Sequence, residues 1–168
     1  MSRFTSTLMR STMMRIQNTR WIALAIVSLF THTAIAQGHQ DLAAVIAGGN
    51  DALSESVYGL HTTAYGSSEG LQIAGDGSAN VLKFKAGDFT SINFNDDALN
   101  QVNTVVIRFN EENLVDGTFD GSLLSSLENL STVVLLCSVD VSASRASTIA
   151  LNNLPSGAAS YYVISIPE

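Results

Sequence analysis

The stretch from Leu99 to Cys137 carries one pattern written twice, and it limits what this chain can fold into more than any other feature. Leu99-Asn-Gln-Val102-Asn-Thr104-Val-Val-Ile107-Arg-Phe109 recurs about 28 residues later as Leu127-Glu-Asn-Leu130-Ser-Thr132-Val-Val-Leu135-Leu-Cys137. Each copy leads from spaced apolar residues into a β-branched run, and recurrence at such a period reads as one structural unit stacked on the next. A third copy of the run stands at the same offset, Ser160 to Ser165, with its leucines, Leu151 and Leu154, displaced upstream by Pro155-Ser-Gly157. The pattern predicts strands over 104–109, 132–137 and 160–165. Helices are expected over 95–102, over 122–130, where four leucines stand at helical spacing, and within 142–153. Roughly 22 residues separate the first two strands, enough for a crossover, so the strands are expected to lie parallel in one sheet.

Alternation assigns the faces of that sheet. Val105, Ile107 and Phe109 align with Val133, Leu135 and Cys137 and, at the repeat offset, with Tyr161, Val163 and Ser165. The opposite face carries Val106, Arg108, Val134, Leu136, Tyr162 and Ile164, far more apolar than a solvated face should be. Val134, Leu136, Tyr162 and Ile164 are therefore the candidate interaction face, to be covered by residues 38–94, the strands of 71–94 in particular, or by a partner.

Upstream of the repeats, 37–94 reads as a short helix followed by β-hairpins. Asp41 caps Leu42–Ala47, which stops at Gly48-Gly49, and 54–70 has no clear period. Leu71–Ala74 and Val81–Lys85 read as two antiparallel strands joined by Gly75-Asp-Gly77, with Leu82 and Phe84 on one face and Lys83 and Lys85 on the other. A third strand is expected over Phe89–Phe94. The fold class is thus α/β: antiparallel hairpins, then a strand-helix repeat forming a small parallel sheet, either a solenoid or an ordinary small α/β domain.

The first 36 residues are read apart. Arg3, Arg10, Arg15 and Arg20 precede an apolar run from Trp21 that ends in Ala34-Ile35-Ala36, the plan of a secretory signal peptide cleaved before Gln37. The run is short of the roughly 20 apolar residues of a membrane span. Residues 37–168 are then one exported domain, destined for the periplasm, cell surface or exterior. They keep only Lys83, Lys85, Arg108 and Arg145 against fifteen carboxylates, a formal −11 that repels nucleic acid and anionic membranes. Cys137 is the only cysteine, so no internal disulfide forms, and its apolar run marks it as a small core residue.

Catalytic chemistry finds little to stand on. Serine lies in no Gly-x-Ser-x-Gly elbow, no phosphate loop is present, His39 is expected in a frayed terminus and His61 in an exposed loop. Asp116, Thr118 and Asp120, followed by Gly121, occupy positions one, three and five of a calcium loop, although the twelfth position is Leu127. Calcium at Asp116, Thr118 and Asp120 is the one cofactor the spacing admits. Asp96-Asp97 and Glu111-Glu112 read as cap and surface charges.

Two resemblances follow from these residues. Leu99-x-x-Val102-x-x-Val105-x-Ile107-x-x-Asn110, repeated from Leu127 to Leu135 with Ser138 at the asparagine position, resembles the leucine-rich repeat, and Thr118-Phe-Asp-Gly121 is similar to the phenylalanine-glycine segment of bacterial surface repeats. The likeness covers residues 95–140 and implies a surface protein that binds a protein or cell-surface partner. Leu42-x-x-Val45-Ile46-x-x-Gly49-Asn-Asp-Ala52 resembles a short motif at the head of phage tail-fibre-like and bacterial surface-fibre segments, which implies a trimeric subunit. The expectation is a secreted, non-catalytic structural or interaction protein; the alternatives are a fibre or adhesin subunit and an exported hydrolase built from loop carboxylates.

Overall fold

The strand runs of the two repeat copies form where the β-branched residues place them. In a computed structural model, which describes residues 38–166, they are β5 (Thr104–Phe109) and β7 (Thr132–Cys137), paired in parallel with Val105 opposite Val133 and Phe109 opposite Cys137. The expected signal peptide lies outside the described residues. The copies also match in the turn before each strand. Val102 donates its N–H to the Leu99 carbonyl and Leu130 to that of Leu127, each at 3.0 Å.

Those turns correct the expected helices over 95–102 and 122–130. Only short tight turns form, Asp97–Leu99 and Gly121–Ser126. The physical reason is the spacing: Leu99, Val102 and Val105, like Leu124, Leu127, Leu130 and Val133, recur every three residues, which suits three residues per turn and puts all of them in the core. Leu123, which would complete an α-helical stripe, is 43% exposed.

The remaining strands are β1 (Gln40–Asp41), β2 (Thr63–Ser67), β3 (Gly70–Ala74), β4 (Val81–Lys85), β6 (Thr118–Asp120), β8 (Ala150–Asn152) and β9 (Ala159–Ile164). The main sheet is open, in the order β1-β9-β7-β5-β4-β2-β3, and only the β2–β3 pair is antiparallel. β6 and β8 form a second, two-stranded parallel sheet. The domain is therefore mixed α/β with a mostly parallel sheet and a small antiparallel part.

This overturns the expected hairpin between 71–74 and 81–85. β3 turns back along β2, so Ala74 ends beside Thr63, where β2 began. Gly75 and Gly77, at φ +109° and +84°, let the chain pass under that end, where Thr62 Oγ1 donates to the Asp76 carbonyl at 2.7 Å. β4 must then start level with β2 and run parallel to it, between β2 and β5. Phe89–Phe94 is no strand either. Phe89, Ile92 and Phe94 sit on turns and plug the core, where Phe84, Phe89, Phe94, Phe109 and Phe119 meet with ring centroids 5.4–5.9 Å apart.

The third strand is a parallel neighbour of β7, as expected, but one residue out of the repeat register. Thr132 faces Ala159, Val134 faces Tyr161 and Leu135 faces Tyr162. A slip of one residue exchanges the two faces of a strand. Tyr162 and Ile164, expected on the second face, belong to the main core, and Tyr161 and Val163 stand beside Val134 and Leu136 instead.

The cover of that second face comes from within residues 38–94, as expected, though from other elements. Two short helices lie on it, α1 (Leu42–Ala47) and α2 (Asp51–Tyr58), rather than the strands of 71–94. Asp41 Oδ1 caps α1 through the Ala43 N–H at 2.9 Å, and Asn50 Oδ1 caps α2 through the Leu53 N–H at 3.0 Å. Leu42 and Leu53 press on Val81, Val106 and Val134, with Val45, Ile46, Val57, Leu136, Tyr161 and Val163 around them. Two further helices, α3 (Glu112–Val115) and α4 (Ala143–Ser147), join the strands on the other side. No described helix is long and apolar enough to cross a membrane.

Candidate functional site

Toward the carboxyl ends of the parallel strands, beside the last turn of α2, the second face opens into a cleft of about 560 Å³. Its floor and inner wall are Val106, Val134, Leu136 and Val163 from β5, β7 and β9, with Val57 from the last turn of α2. Tyr58 and Tyr65 stand at its mouth, 62% and 48% exposed. Open parallel sheets generally offer ligand space outside the carboxyl ends of their strands, and this volume falls within the roughly 300–1,000 Å³ of small-molecule sites.

One rim of the cleft is basic. β4 and β5 run in register, Lys83 opposite Val106 and Lys85 opposite Arg108, so alternation turns all three cations to the cleft side. Asp88, just past β4, is the one carboxylate among the described lining residues. Among the described residues the only ion pairs are those of Arg145, so no described carboxylate holds Lys83, Lys85 or Arg108.

The residues expected to carry a site are distributed differently. Val134 and Leu136 lie in the cleft floor, and Ile164, though packed against the main core, also borders the cleft, whereas Tyr162 is buried beneath the sheet. Asp116, Thr118 and Asp120 form no cation-ready cluster. Arg145 Nε and Nη2 donate to the two Asp116 oxygens at 3.0 and 2.6 Å, and Nη1 reaches Glu112 at 2.6 Å. The guanidinium holds the Asp116 carboxyl below the usual carboxylate range and its own proton more tightly than an ordinary arginine. Asp120 accepts instead from Asn153 Nδ2 and from the Ser122 N–H, both at 3.1 Å, and its acidity rises for that reason. A calcium ion at these residues would have to displace Arg145. No group of three or more His, Cys, Asp or Glu side chains gathers among the described residues.

His39 is not frayed but buried, at 6% exposure. Its Nε2 donates to the Ile149 carbonyl at 2.7 Å, which leaves Nδ1 to accept from the Ser160 hydroxyl at 2.8 Å. Burial lowers its pKa, partly offset by the Ile149 bond. The pair resembles half of a hydrolytic triad, yet it lies apart from the cleft lining and ties the N-terminal segment to β9. His61 Nε2 donates to the Glu55 carbonyl at 2.7 Å and closes the end of α2. Cys137 is buried in the main core, and burial raises its pKa, so it behaves as the small apolar residue expected.

Sequence reasoning missed the cleft because it missed α2 and the place of β4. The signal for α2 was present: Asn50 before Asp51, with Leu53 and Val57 one helical turn apart. Comparison of the chain with protein-family models, curated proteins and solved structures finds no match.

Proposed function

We propose that this chain is an exported, non-catalytic binding protein that takes a small, largely apolar ligand in the cleft at the carboxyl ends of its parallel strands. The observation that carries the reading is the cleft itself: an apolar floor with a cationic rim, at the carboxyl ends of the parallel strands. Export is supported by the arginines of the leader and by Ala34-Ile35-Ala36. A leucine-rich-repeat-like winding is supported by β2, β4, β5, β7 and β9 following one another through the sheet in chain order, with matching turns before β5 and β7.

The neutral, environment-sensitive dye prodan tests this reading. One dye per chain should bind with a rise in fluorescence, and Val163→Trp, which fills the cleft from a half-buried position, should abolish binding without loss of the circular dichroism of the folded chain. No turnover of p-nitrophenyl esters should accompany it. Ester hydrolysis lost in Ser160→Ala would reinstate a hydrolase, and a stable trimer with no dye binding would favour a fibre subunit.

A further inference from the structure

The cationic rim narrows the ligand class, an inference that rests on the cleft being a binding site. Beyond residue 36 the chain has four fixed cations among fifteen carboxylates, and three of the four line this one cleft. Two registers bring them there: alternation puts Lys83 and Lys85 on one side of β4, and the parallel pairing with β5 sets Arg108 directly opposite Lys85. The fourth, Arg145, is fully engaged by Glu112 and Asp116 on a different part of the molecule. The cleft cations have no such partners among the described residues. Lys85 and Arg108 are exposed, and Lys83 is half-buried. In so acidic a chain, three cations against Asp88, the single carboxylate among the described lining residues, make the cleft a positive field that draws anions to that point.

The charge and most of the apolar floor lie side by side, with Val106 of β5, opposite Lys83, where the two meet. Lys83, Lys85 and Arg108 come from β4 and β5, while Val134, Leu136 and Val163 come from β7 and β9. A ligand matching both parts has an anionic group at one end and a hydrocarbon body at the other. We propose that the cleft binds a free single-chain amphiphile with an anionic head, a carboxylate in the simplest case. The head sits at Lys83, Lys85 and Arg108, and the tail runs across Val106, Val134, Leu136 and Val163. Arg108 supplies the planar pair of N–H donors that suits a carboxylate, and the two lysines supply point charges.

Calorimetric titration of the full chain with dodecanoate, below its micellar concentration, against 1-dodecanol tests the proposal. Dodecanoate should bind one to one and about ten to a hundredfold more tightly than the alcohol, the range expected for hydrogen bonds to a charged group. The preference should shrink as salt is raised, because exposed charges are screened. The triple variant Lys83→Gln, Lys85→Gln, Arg108→Gln should bind acid and alcohol alike; Arg108→Gln alone, at an exposed position, should remove part of the preference and guards against misfolding of the triple variant. Equal binding of acid and alcohol by the parent chain would overturn the anionic head while leaving prodan binding, and the cleft, intact. An undiminished preference in both variants would overturn the placement of the head. Binding to anionic phosphatidylglycerol vesicles without uptake of free dodecanoate would replace the free amphiphile with a membrane surface.

Discussion

His39 shows how much one buried side chain can hold in place. Its ring joins the first described residues to the Ile149 carbonyl and to Ser160 of β9, contacts separated by 110 and 121 positions in sequence. Burial disfavours the charged imidazolium and pushes the pKa below the ordinary 6.5, against the Ile149 bond, which raises it. An unfolded chain therefore takes up a proton near pH 6.5 that the folded chain resists. The stabilisation is complete above that pH and is lost as the pH falls through the folded-state value. Urea unfolding at pH 7.5 and pH 5.5 should show the parent chain weaker at the lower pH, with His39→Gln losing much of that difference. The variant should also be less stable at pH 7.5 by about 1–3 kcal/mol, since the Ile149 carbonyl and Ser160 lose a partner. An unchanged pH dependence would mean that His39 titrates in the fold as it does in water.

At the scale of elements, the parts legible in the sequence are those fixed by local pattern. β5 and β7 take the bounds their largely apolar runs predict, and their mutual register follows from the repeat. The α1 cap at Asp41 was equally local. Helix and tight turn could not be told apart over Leu124 to Leu130, because spacings of three and four coincide over so short a stretch. The β9 register was illegible for another reason: Pro155-Ser-Gly157 changes the approach to the strand, and only long-range packing of Tyr162 into the main core selects which face turns inward. Inter-strand nuclear Overhauser contacts should link Leu135 with Tyr162 and Val134 with Tyr161; contacts of Leu135 with Val163 instead would restore the 28-residue spacing. Helix α2 makes a second test. Leu53 is 6% exposed against Val134 and its neighbours, so Leu53→Ala should cost about 2 kcal/mol or more in chemical denaturation. A cost near zero would mean that α2 does not cover the sheet.

For the whole molecule, the account turns on the division of one sheet face between an internal cover and an open cleft. Sequence pattern exposed the problem, a parallel sheet apolar on both sides, and alternation already paired Lys83 with Lys85. It could not bring Arg108 to them, because that depends on β4 lying beside β5, which follows from β3 returning the chain to the start of β2. The most direct test is amide chemical-shift mapping of the isotopically labelled chain with saturating prodan. The shifts should concentrate at Val57, Tyr58, Val106, Arg108, Leu136 and Val163 and leave 116–120 and the surroundings of His39 unmoved. Shifts confined to those other regions, or spread evenly over the surface, would contradict the cleft as the working site of the protein.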